Sequence, residues 1–166
     1  MTLPKRLPRK ISLGLGLSLI DRAVKEFFAE RRREDLQAAI EYFTDAGALH
    51  CIYCGAPNPN RWDHFHPVTK GGDTVIGNLV PACQRCDDSK QDRTLEEWVS
   101  SRSKHRPTKR RLKKIQSDFR KYQRKHPYQA RDFDEKLSQE QKRMYHQFQR
   151  AMDDLKRVLK EIGAAQ

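Results

Sequence analysis

The sequence lacks long apolar segments, and it has few cysteines and few acidic residues relative to its basic ones. No apolar run approaches the roughly 20 residues of a membrane-spanning helix, so we expect no membrane association of that kind. Hydrophobic residues make up 36% of the 166 positions and charged residues 34%, which predicts a modest core under an ionic surface. The length excludes a large multidomain enzyme.

Acidic residues are scarcest in one stretch of the chain. Between residues 102 and 125 there are 12 Lys and Arg residues, and Asp118 is the only acid. The whole chain has 34 Lys and Arg against 22 Asp and Glu, a formal net charge of +12. Such a basic block attracts polyanions, so we expect nucleic acid as the main partner. The alternatives are a solvated basic helix face and an anionic membrane surface.

The N-terminal region combines basic residues with an apolar stretch at 11–20, but a small-residue cleavage site does not follow, so we expect no export signal. Alternation of Leu with Gly and Ser predicts a half-buried strand over 11–19. From Ser18, with Asp21 as a capping partner, helical spacing predicts one bent helix or two short ones that end near Gly47.

All four cysteines fall in two C-x-x-C pairs, Cys51 with Cys54 and Cys83 with Cys86. Two such pairs supply four thiolates to one tetrahedral zinc ion. The alternatives are two disulfides in a secreted protein, or a redox pair in a thioredoxin-like unit. Neither an export signal nor a βαβ pattern supports them. We therefore predict a structural zinc site and a reducing, cytoplasmic compartment.

The residues between the two cysteine pairs and directly after the second pair form an ordered series. It consists of Asp63-His64, Gly71-Gly72, Asn78-Leu-Val-Pro81 and, after the last cysteine, Asp87-Asp-Ser-Lys90. Together with the cysteines, this series resembles the HNH endonucleases, the ββα-metal or His-Me finger family. The resemblance covers about a quarter of the chain, and its motifs are specific because they must coincide.

The resemblance implies a zinc-stapled ββα-metal finger. Together with the helical spacing on either side of it, this predicts a mainly helical α+β protein with N- and C-terminal helices. In this family the two strands and the helix frame one divalent metal. The resemblance implies that Asp63 is a metal ligand, that His64 is the general base, and that Asn78 positions the loop and orients the histidine. Where the family usually has His or Asn, this chain has Asp87 as the second ligand. Two carboxylates favour Mg²⁺ or Mn²⁺.

Neighbouring strand residues point to opposite faces, so we expect Asp63 and His64 to serve opposite sides of one phosphorus atom. His66, Lys90 and Arg93 are candidate phosphate contacts. The alternatives are a stacked or solvent-facing ring for His66 and surface charges for the other two. Taken singly, Asp63 is also compatible with a turn cap, Asn78 with a turn and Asp87 with a helix N-terminus.

The C-terminal part reads as helices joined by a basic linker. Thr94 and Glu97 predict a capping box, and Trp98 an apolar anchor that packs the helix back on the finger. Residues 100–108 read as the linker, after which an apolar seam runs along a basic helix that Pro127 ends. The members of this seam are Leu112, Ile115, Phe119 and Tyr122.

A last helix opens with a capping box of Ser138 and Gln141. Its heptad-like seam consists of Tyr145, Phe148, Met152, Leu155, Leu159 and Ile162. Such a seam must pack on something. The two alternatives are a hairpin with the preceding helix and a homodimer, which would bring two active sites to the two strands of a duplex.

We therefore divide the chain into a basic arm with helical scaffold (1–50), the HNH finger with structural zinc (51–99), and the linker with C-terminal helices for DNA contact or dimerisation (100–166). The predicted function is metal-dependent hydrolysis of double-stranded DNA by a restriction- or phage-type enzyme of bacterial or phage origin. The alternatives are a zinc-containing nucleic-acid-binding protein without chemistry and an assembly protein that uses the terminal helices.

Overall fold

The computed structural model describes residues 13–45, 47 and 49–164. This part of the chain has six α-helices and one two-stranded sheet, so the predicted mainly helical α+β class is confirmed. The helices are α1 (Leu13–Phe28), α2 (Arg33–Asp45), α3 (Gln84–Lys90), α4 (Leu95–Ser100), α5 (Lys109–Lys125) and α6 (Gln139–Ala164), and the strands are β1 (Arg61–His64) and β2 (Leu79–Ala82). None of the helices in these ranges combines the length and the apolar character that crossing a membrane requires.

The chain packs as two compact units. The smaller unit combines the chain up to Val24 with the chain from Leu137 onward, so its described part contains most of α1 and all of α6. The larger unit is Lys25–Lys136, which contains both strands and α2 to α5. These units follow packing, whereas the three predicted segments follow charge and motifs, and that division stays a prediction.

An antiparallel hairpin of β1 and β2, followed directly by α3, forms the predicted ββα arrangement. The register pairs Asp63 with Val80 and His64 with Leu79. All four residues of β2 are buried, including Pro81. Its carbonyl oxygen accepts a hydrogen bond from the backbone N–H of Ile52 at 2.9 Å, on the side away from β1. A proline is tolerated there because it need not donate to the ladder.

The core of the larger unit joins the first cysteine turn, the hairpin, α4 and α5. Its buried members are Cys51, Ile52, Tyr53, Phe65, Val80, Ala82, Cys86, Leu95, Trp98, Ile115, Phe119 and Tyr122. The predicted capping box of Thr94 and Glu97 opens α4. Trp98 on that helix is fully buried and packs edge-on to Tyr53, with ring centroids 5.2 Å apart. The prediction that this helix packs back on the finger is confirmed.

Helix α5 ends two residues before Pro127, as predicted, and its apolar seam is buried. The ring of Phe119 stacks on Phe65 with centroids 3.5 Å apart, and the hydroxyl of Tyr122 accepts a hydrogen bond from the N–H of Gly77 at 2.9 Å. This seam therefore packs on the finger, and the predicted hairpin with α6 stays a prediction. A two-stranded sheet cannot bury its own apolar face, so the finger uses the seam of α5 as its cover.

Helix α6 opens with the predicted capping box: the N–H of Ser138 donates to Gln141 and the N–H of Gln141 donates to the hydroxyl of Ser138. Tyr145 is buried, and its hydroxyl donates to Asp21 in α1 at 2.8 Å. Further along the seam, Leu155 is 43% exposed and Ile162 is 53% exposed. The seam is therefore covered at its start and exposed toward its end.

The predicted N-terminal strand is wrong, because α1 begins at Leu13; residues 11 and 12 lie outside the described part of the chain. The predicted helix start at Ser18 is wrong as well, since Ser18 lies inside α1. Leucine is a strong helix former, and Leu17 is buried whereas Leu19 is 51% exposed. The alternation of leucines therefore does not separate a buried face from an exposed one. Of the two forms predicted for the helical stretch, the structure has two helices, α1 and α2.

Candidate active site

The four cysteines converge at one point. Their sulfur atoms lie within 4.8 Å of one another, and the sulfurs of Cys54 and Cys83 are 3.7 Å apart. Four thiolates at about 2.3 Å from one zinc ion stand about 3.8 Å from each other, so the cluster fits a tetrahedral zinc site. All four cysteines are free thiols, and the predicted zinc-type finger fold is confirmed.

The first two cysteines lie on the turn before β1, while Cys83 caps the N-terminus of α3 and Cys86 follows in its first turn. The hydrogen bond from Cys86 lowers the pKa of Cys51 to about 4, against the opposing effect of burial. This shift favours the thiolate form, which is the form that binds a metal ion. Among the described residues, this quartet is the only group of three or more His, Cys, Asp or Glu side chains that could hold a metal ion.

Asp63, the predicted ligand of the catalytic metal, lies on the buried face of β1 and is 7% exposed. Its Oδ2 atom accepts a hydrogen bond from the hydroxyl of Tyr53 at 2.5 Å and lies 3.0 Å from Nζ of Lys90. Burial raises the pKa of Asp63, and the positive charge of Lys90 opposes that shift. Burial and the neighbouring carboxylate also raise the pKa of Tyr53, so Tyr53 remains a neutral donor.

Lys90 is fully buried at the end of α3. Besides its ion pair with Asp63, it donates a hydrogen bond to the carbonyl oxygen of His64 at 2.8 Å. Lys90 thus links α3 to β1 through contacts in the buried interior of the finger. This placement differs from both sequence interpretations, phosphate contact and surface charge, because the carboxylate and the carbonyl oxygen draw the ammonium group inward.

Arg93 lies beyond the end of α3 rather than on it. Its guanidinium donates to the carbonyl oxygens of Ser89 and Lys90 at 2.9 and 3.4 Å. These are carbonyl groups at the C-terminus of a helix, where a positive charge is favourable. The arrangement makes Arg93 a helix cap, and its role as a phosphate contact stays a prediction.

His64, the predicted general base, ends β1 and is half-buried. Its Nε2 atom lies 2.8 Å from Oγ1 of Thr74. Asp63 bonds to Tyr53 and Lys90, whereas His64 bonds to Thr74. The side chains of these two neighbours therefore lie on different sides of β1. His66 instead packs edge-on to Phe119, with ring centroids 5.8 Å apart, and burial lowers its pKa. His66 thus packs against an aromatic ring edge-on rather than stacked on it, and its role as a phosphate contact stays a prediction.

Asn78, the predicted positioning residue, is fully buried. Its side-chain oxygen accepts a hydrogen bond from the N–H of His66 at 2.8 Å. Its amide group donates to the carbonyl oxygens of His66 and Asp73 at 3.0 and 2.8 Å. Asn78 therefore joins the segment that leaves β1 to the loop that precedes β2, with His64 next to this junction.

Asp87 lies in the first turn of α3, and its side chain is 26% exposed. Its Oδ2 atom is 2.9 Å from a guanidinium nitrogen of Arg61. The negative charge of Asp87 contributes to the raised pKa of both Asp63 and Tyr53. The two carboxylates predicted as metal ligands are therefore electrostatic neighbours on β1 and α3.

Sequence reasoning missed four residues that build this region, namely Tyr53, Arg61, Thr74 and Arg111. The guanidinium of Arg111 on α5 donates to three backbone carbonyl oxygens of the first cysteine turn, at residues 51 to 53. Nothing in the sequence separates Arg111 from the other basic residues of α5. Only Tyr53 carries a signal, as an aromatic residue between two zinc-spaced cysteines.

Comparison with known proteins identifies the class of this site. Residues 51–93 match the family described as HNH endonuclease, so the resemblance predicted from the sequence is confirmed for this segment, which is an HNH domain. The chain is also similar to the curated protein named "SPbeta prophage-derived putative HNH endonuclease YoqL" of Bacillus subtilis (strain 168), with 40% identity over 88 residues. That match covers 46% of this chain and 36% of the relative, so the chain spans about a third of the relative's length. No solved structure matches the chain.

Proposed function

We propose that this chain is a metal-dependent endonuclease that hydrolyses DNA phosphodiester bonds. The observation that carries the proposal is the position of His64 at the end of the ββα hairpin, next to the buried carboxylate of Asp63 and across from the helix that bears Asp87. The match of residues 51–93 to the HNH endonucleases supports a nuclease.

In this proposal each residue of the site has one task. His64 takes the proton from the attacking water as general base. Asp63 and Asp87 would hold a Mg²⁺ or Mn²⁺ ion, which two neighbouring carboxylates suit because hard cations prefer anionic oxygen ligands. When bound, such an ion stabilises negative charge on the phosphoryl and leaving oxygens. Asn78 keeps the two segments beside His64 in place.

The exposed face of α5 is the proposed contact for double-stranded DNA. The seam of this helix faces the core, and Arg111 is occupied by the cysteine turn. The remaining basic residues of α5 are exposed: Lys109, Arg110, Lys113, Lys114, Arg120, Lys121, Arg124 and Lys125. Lysine and arginine in such a row bind phosphate groups and displace counterions, which gives salt-dependent affinity with little sequence readout.

We also propose that the exposed end of the α6 seam pairs with a second copy of the chain. Leu155 and Ile162 are both about half exposed, and a two-fold dimer would present one finger to each DNA strand. Light scattering at several concentrations tests this: Leu155→Glu should give monomers where the unmodified chain gives dimers. The matched control is Asp154→Glu, which keeps the charge of an exposed neighbour. A monomeric unmodified chain contradicts the dimer.

A bacterial or phage enzyme of the restriction or phage type fits best. Four free thiols at one zinc-type site favour a reducing compartment, and we propose the cytoplasm. The relative's prophage origin supports the phage branch of the proposal.

One observation favours a second candidate, a zinc-containing nucleic-acid-binding protein without chemistry. Nζ of Lys90 lies 3.0 Å from Asp63, and this charge compensates the carboxylate where a metal ion would do so in an active nuclease. Such a protein would bind DNA with steep salt dependence and would not cut it in Mg²⁺ or Mn²⁺.

Incubation of supercoiled plasmid with the purified chain and Mg²⁺ or Mn²⁺ separates the two candidates. The proposal expects nicked or linear DNA, and His64→Ala should slow cleavage by about 10² to 10⁴. His146→Ala, which changes an exposed histidine of α6, is the control and should cut at the normal rate. DNA binding without any divalent-dependent cleavage would support the second candidate.

A further inference from the structure

The imidazole ring of His64, the candidate base, contacts a hydroxyl group that no sequence motif predicted. Nε2 of His64 and Oγ1 of Thr74 are 2.8 Å apart. Threonine is β-branched and has restricted side-chain rotation, so its hydroxyl oxygen has a well-defined place relative to the backbone. The position of that backbone therefore decides where the imidazole ring is held.

The backbone of Thr74 is anchored to the segment after α1. Its N–H donates to the carbonyl oxygen of Glu30 at 2.8 Å, and residues 31 and 74 form a parallel bridge. The N–H of Glu30 in turn donates to the carboxylate of Asp73 at 2.8 Å. The consecutive loop residues Asp73 and Thr74 thus bind the N–H group and the carbonyl group of Glu30.

Asp73 is itself buried and bound on several sides. Lys136 donates to its Oδ1 at 2.6 Å in an ion pair whose side chains are 6% and 4% exposed, and Tyr128 donates to its Oδ2 at 3.1 Å. The side chain of Asn78 binds its carbonyl oxygen at 2.8 Å. A buried, fully bonded carboxylate of this kind is costly to disturb, so the loop before Thr74 is rigid.

The same loop lies directly against the chain that leaves β1. A Cβ atom at Gly72 would stand 1.9 Å from the carbonyl oxygen of His66, which only glycine avoids. The loop is therefore in direct contact with the ring of His64, through Thr74, and with the backbone of His66, through Gly72. The Thr74 hydroxyl on this loop is therefore held at a fixed distance from the imidazole ring of His64.

We propose that Thr74 is a positioning residue that fixes the ring orientation of His64 through the contact between its hydroxyl group and Nε2. The hydrogen bond between this hydroxyl and Nε2 restricts rotation of the imidazole ring about its side-chain bonds. The inference rests on the proposed role of His64 as general base.

Two substitutions at Thr74 test the hydroxyl without changing the volume much. Thr74→Val removes the oxygen and should lower kcat for plasmid cleavage by about 10- to 100-fold, the cost of a misplaced reacting group, with KM and DNA affinity unchanged. Thr74→Ser restores the oxygen and should recover most of kcat. Thr44→Val is the matched control, because the Thr44 hydroxyl bonds only within α2 at an exposed site, and it should cut normally.

A double variant separates positioning from a general effect on the fold. In the His64→Ala background, Thr74→Val should cause no further loss, since residues that act through one another are not additive. An equal further loss there would overturn the inference and assign the hydroxyl to stability. A kcat of Thr74→Val equal to that of the unmodified chain would overturn it as well.

A second readout does not depend on cleavage. The imidazole ¹⁵N resonances of His64 at one fixed pH should shift in Thr74→Val and stay near their original positions in Thr74→Ser. Unshifted resonances in the valine variant would overturn the inference. If the unmodified chain does not cut DNA while these resonances respond as expected, the proposed nuclease function fails and the hydrogen bond alone stands. If the unmodified chain cuts DNA and His64→Ala does not, the nuclease function stands. If Thr74→Val then has no effect, only the positioning role of Thr74 fails.

Discussion

The apolar seams of α5 and α6 have nearly the same spacing and opposite surroundings. On α5, Phe119 and Tyr122 are buried among the residues of the finger. On α6, Leu155 and Ile162 remain about half exposed. A helical repeat of apolar residues thus predicts which face of a helix is apolar, but it does not predict what covers that face. The finger completes its core with α5, whereas the end of the α6 seam stays exposed.

Removal of a zinc ligand should give the largest effect and should break only the finger. Cys83→Ala leaves three thiols for a metal whose binding contributes about 10 kcal/mol or more to folding in zinc-finger peptides. We expect loss of bound zinc and of the native fluorescence of Trp62 and Trp98, both of which lie in the larger unit. A chelator should have the same effect on the unmodified chain, and added zinc should reverse it. Native fluorescence in a zinc-free Cys83 variant would contradict a structural site.

The same substitution in each seam sharpens the comparison. Phe119→Ala should lower the free energy of unfolding by about 3 to 5 kcal/mol, because it opens a cavity under Phe65. Phe148→Ala, at a half-buried position of α6, should cost about 1 kcal/mol or less. Denaturant titration followed by far-UV circular dichroism, which reports on the helices of both units, measures both. Equal losses would mean that the two seams are equally part of one core.

Two lysines compare a buried with an exposed ion pair. Lys90→Met leaves the carboxylate of Asp63 buried without its cation, which should cost about 3 kcal/mol. Lys156→Met removes a pair with Asp153 in which both side chains are more than half exposed, so the cost should stay below about 0.5 kcal/mol. Thermal unfolding of both variants is the measurement. A Lys90 variant as stable as the unmodified chain would contradict the role of this lysine inside the finger.

The smallest expected effect concerns pH. Burial lowers the pKa of His66 in the folded chain, so the unfolded chain binds a proton more readily. The contribution of His66 to stability is therefore complete above the ordinary histidine value of 6.5 and is lost as the pH falls below it. His66→Gln should flatten the dependence of unfolding free energy on pH between about 7 and 5. His146→Gln, in α6, is the control, and an unchanged slope in His66→Gln would contradict the burial argument.

Local signals predicted much of the fold. Capping boxes at Thr94 and Ser138, and the helix end before Pro127, were read correctly because each depends on side chains within a few residues of the backbone groups they satisfy. The N-terminal strand was wrong because leucines alternating with small residues fit two periods, and a strand needs a partner that this segment does not have among the described residues.

For the candidate site, the sequence predicted which residues belong to it better than it predicted their contacts. The cysteine spacing indicated the zinc cluster, and Asp63, His64 and Asn78 were identified through the resemblance. Their partners were not: Lys90 was expected near phosphate but is buried against Asp63. Thr74 gave no signal at all. Its contact with His64 joins two elements that only the fold brings together.

By itself, the sequence determined the metal-binding cysteines, the helix caps and ends, and the excess of positive charge after residue 100. These depend on residue type and short-range spacing, which a linear chain states directly. The tertiary structure decided that α5 covers the finger, that Lys90 lies inside it and that Thr74 contacts His64. Each of these contacts joins residues distant in sequence, and their energy comes from burial and pairing that exist only after the chain has folded.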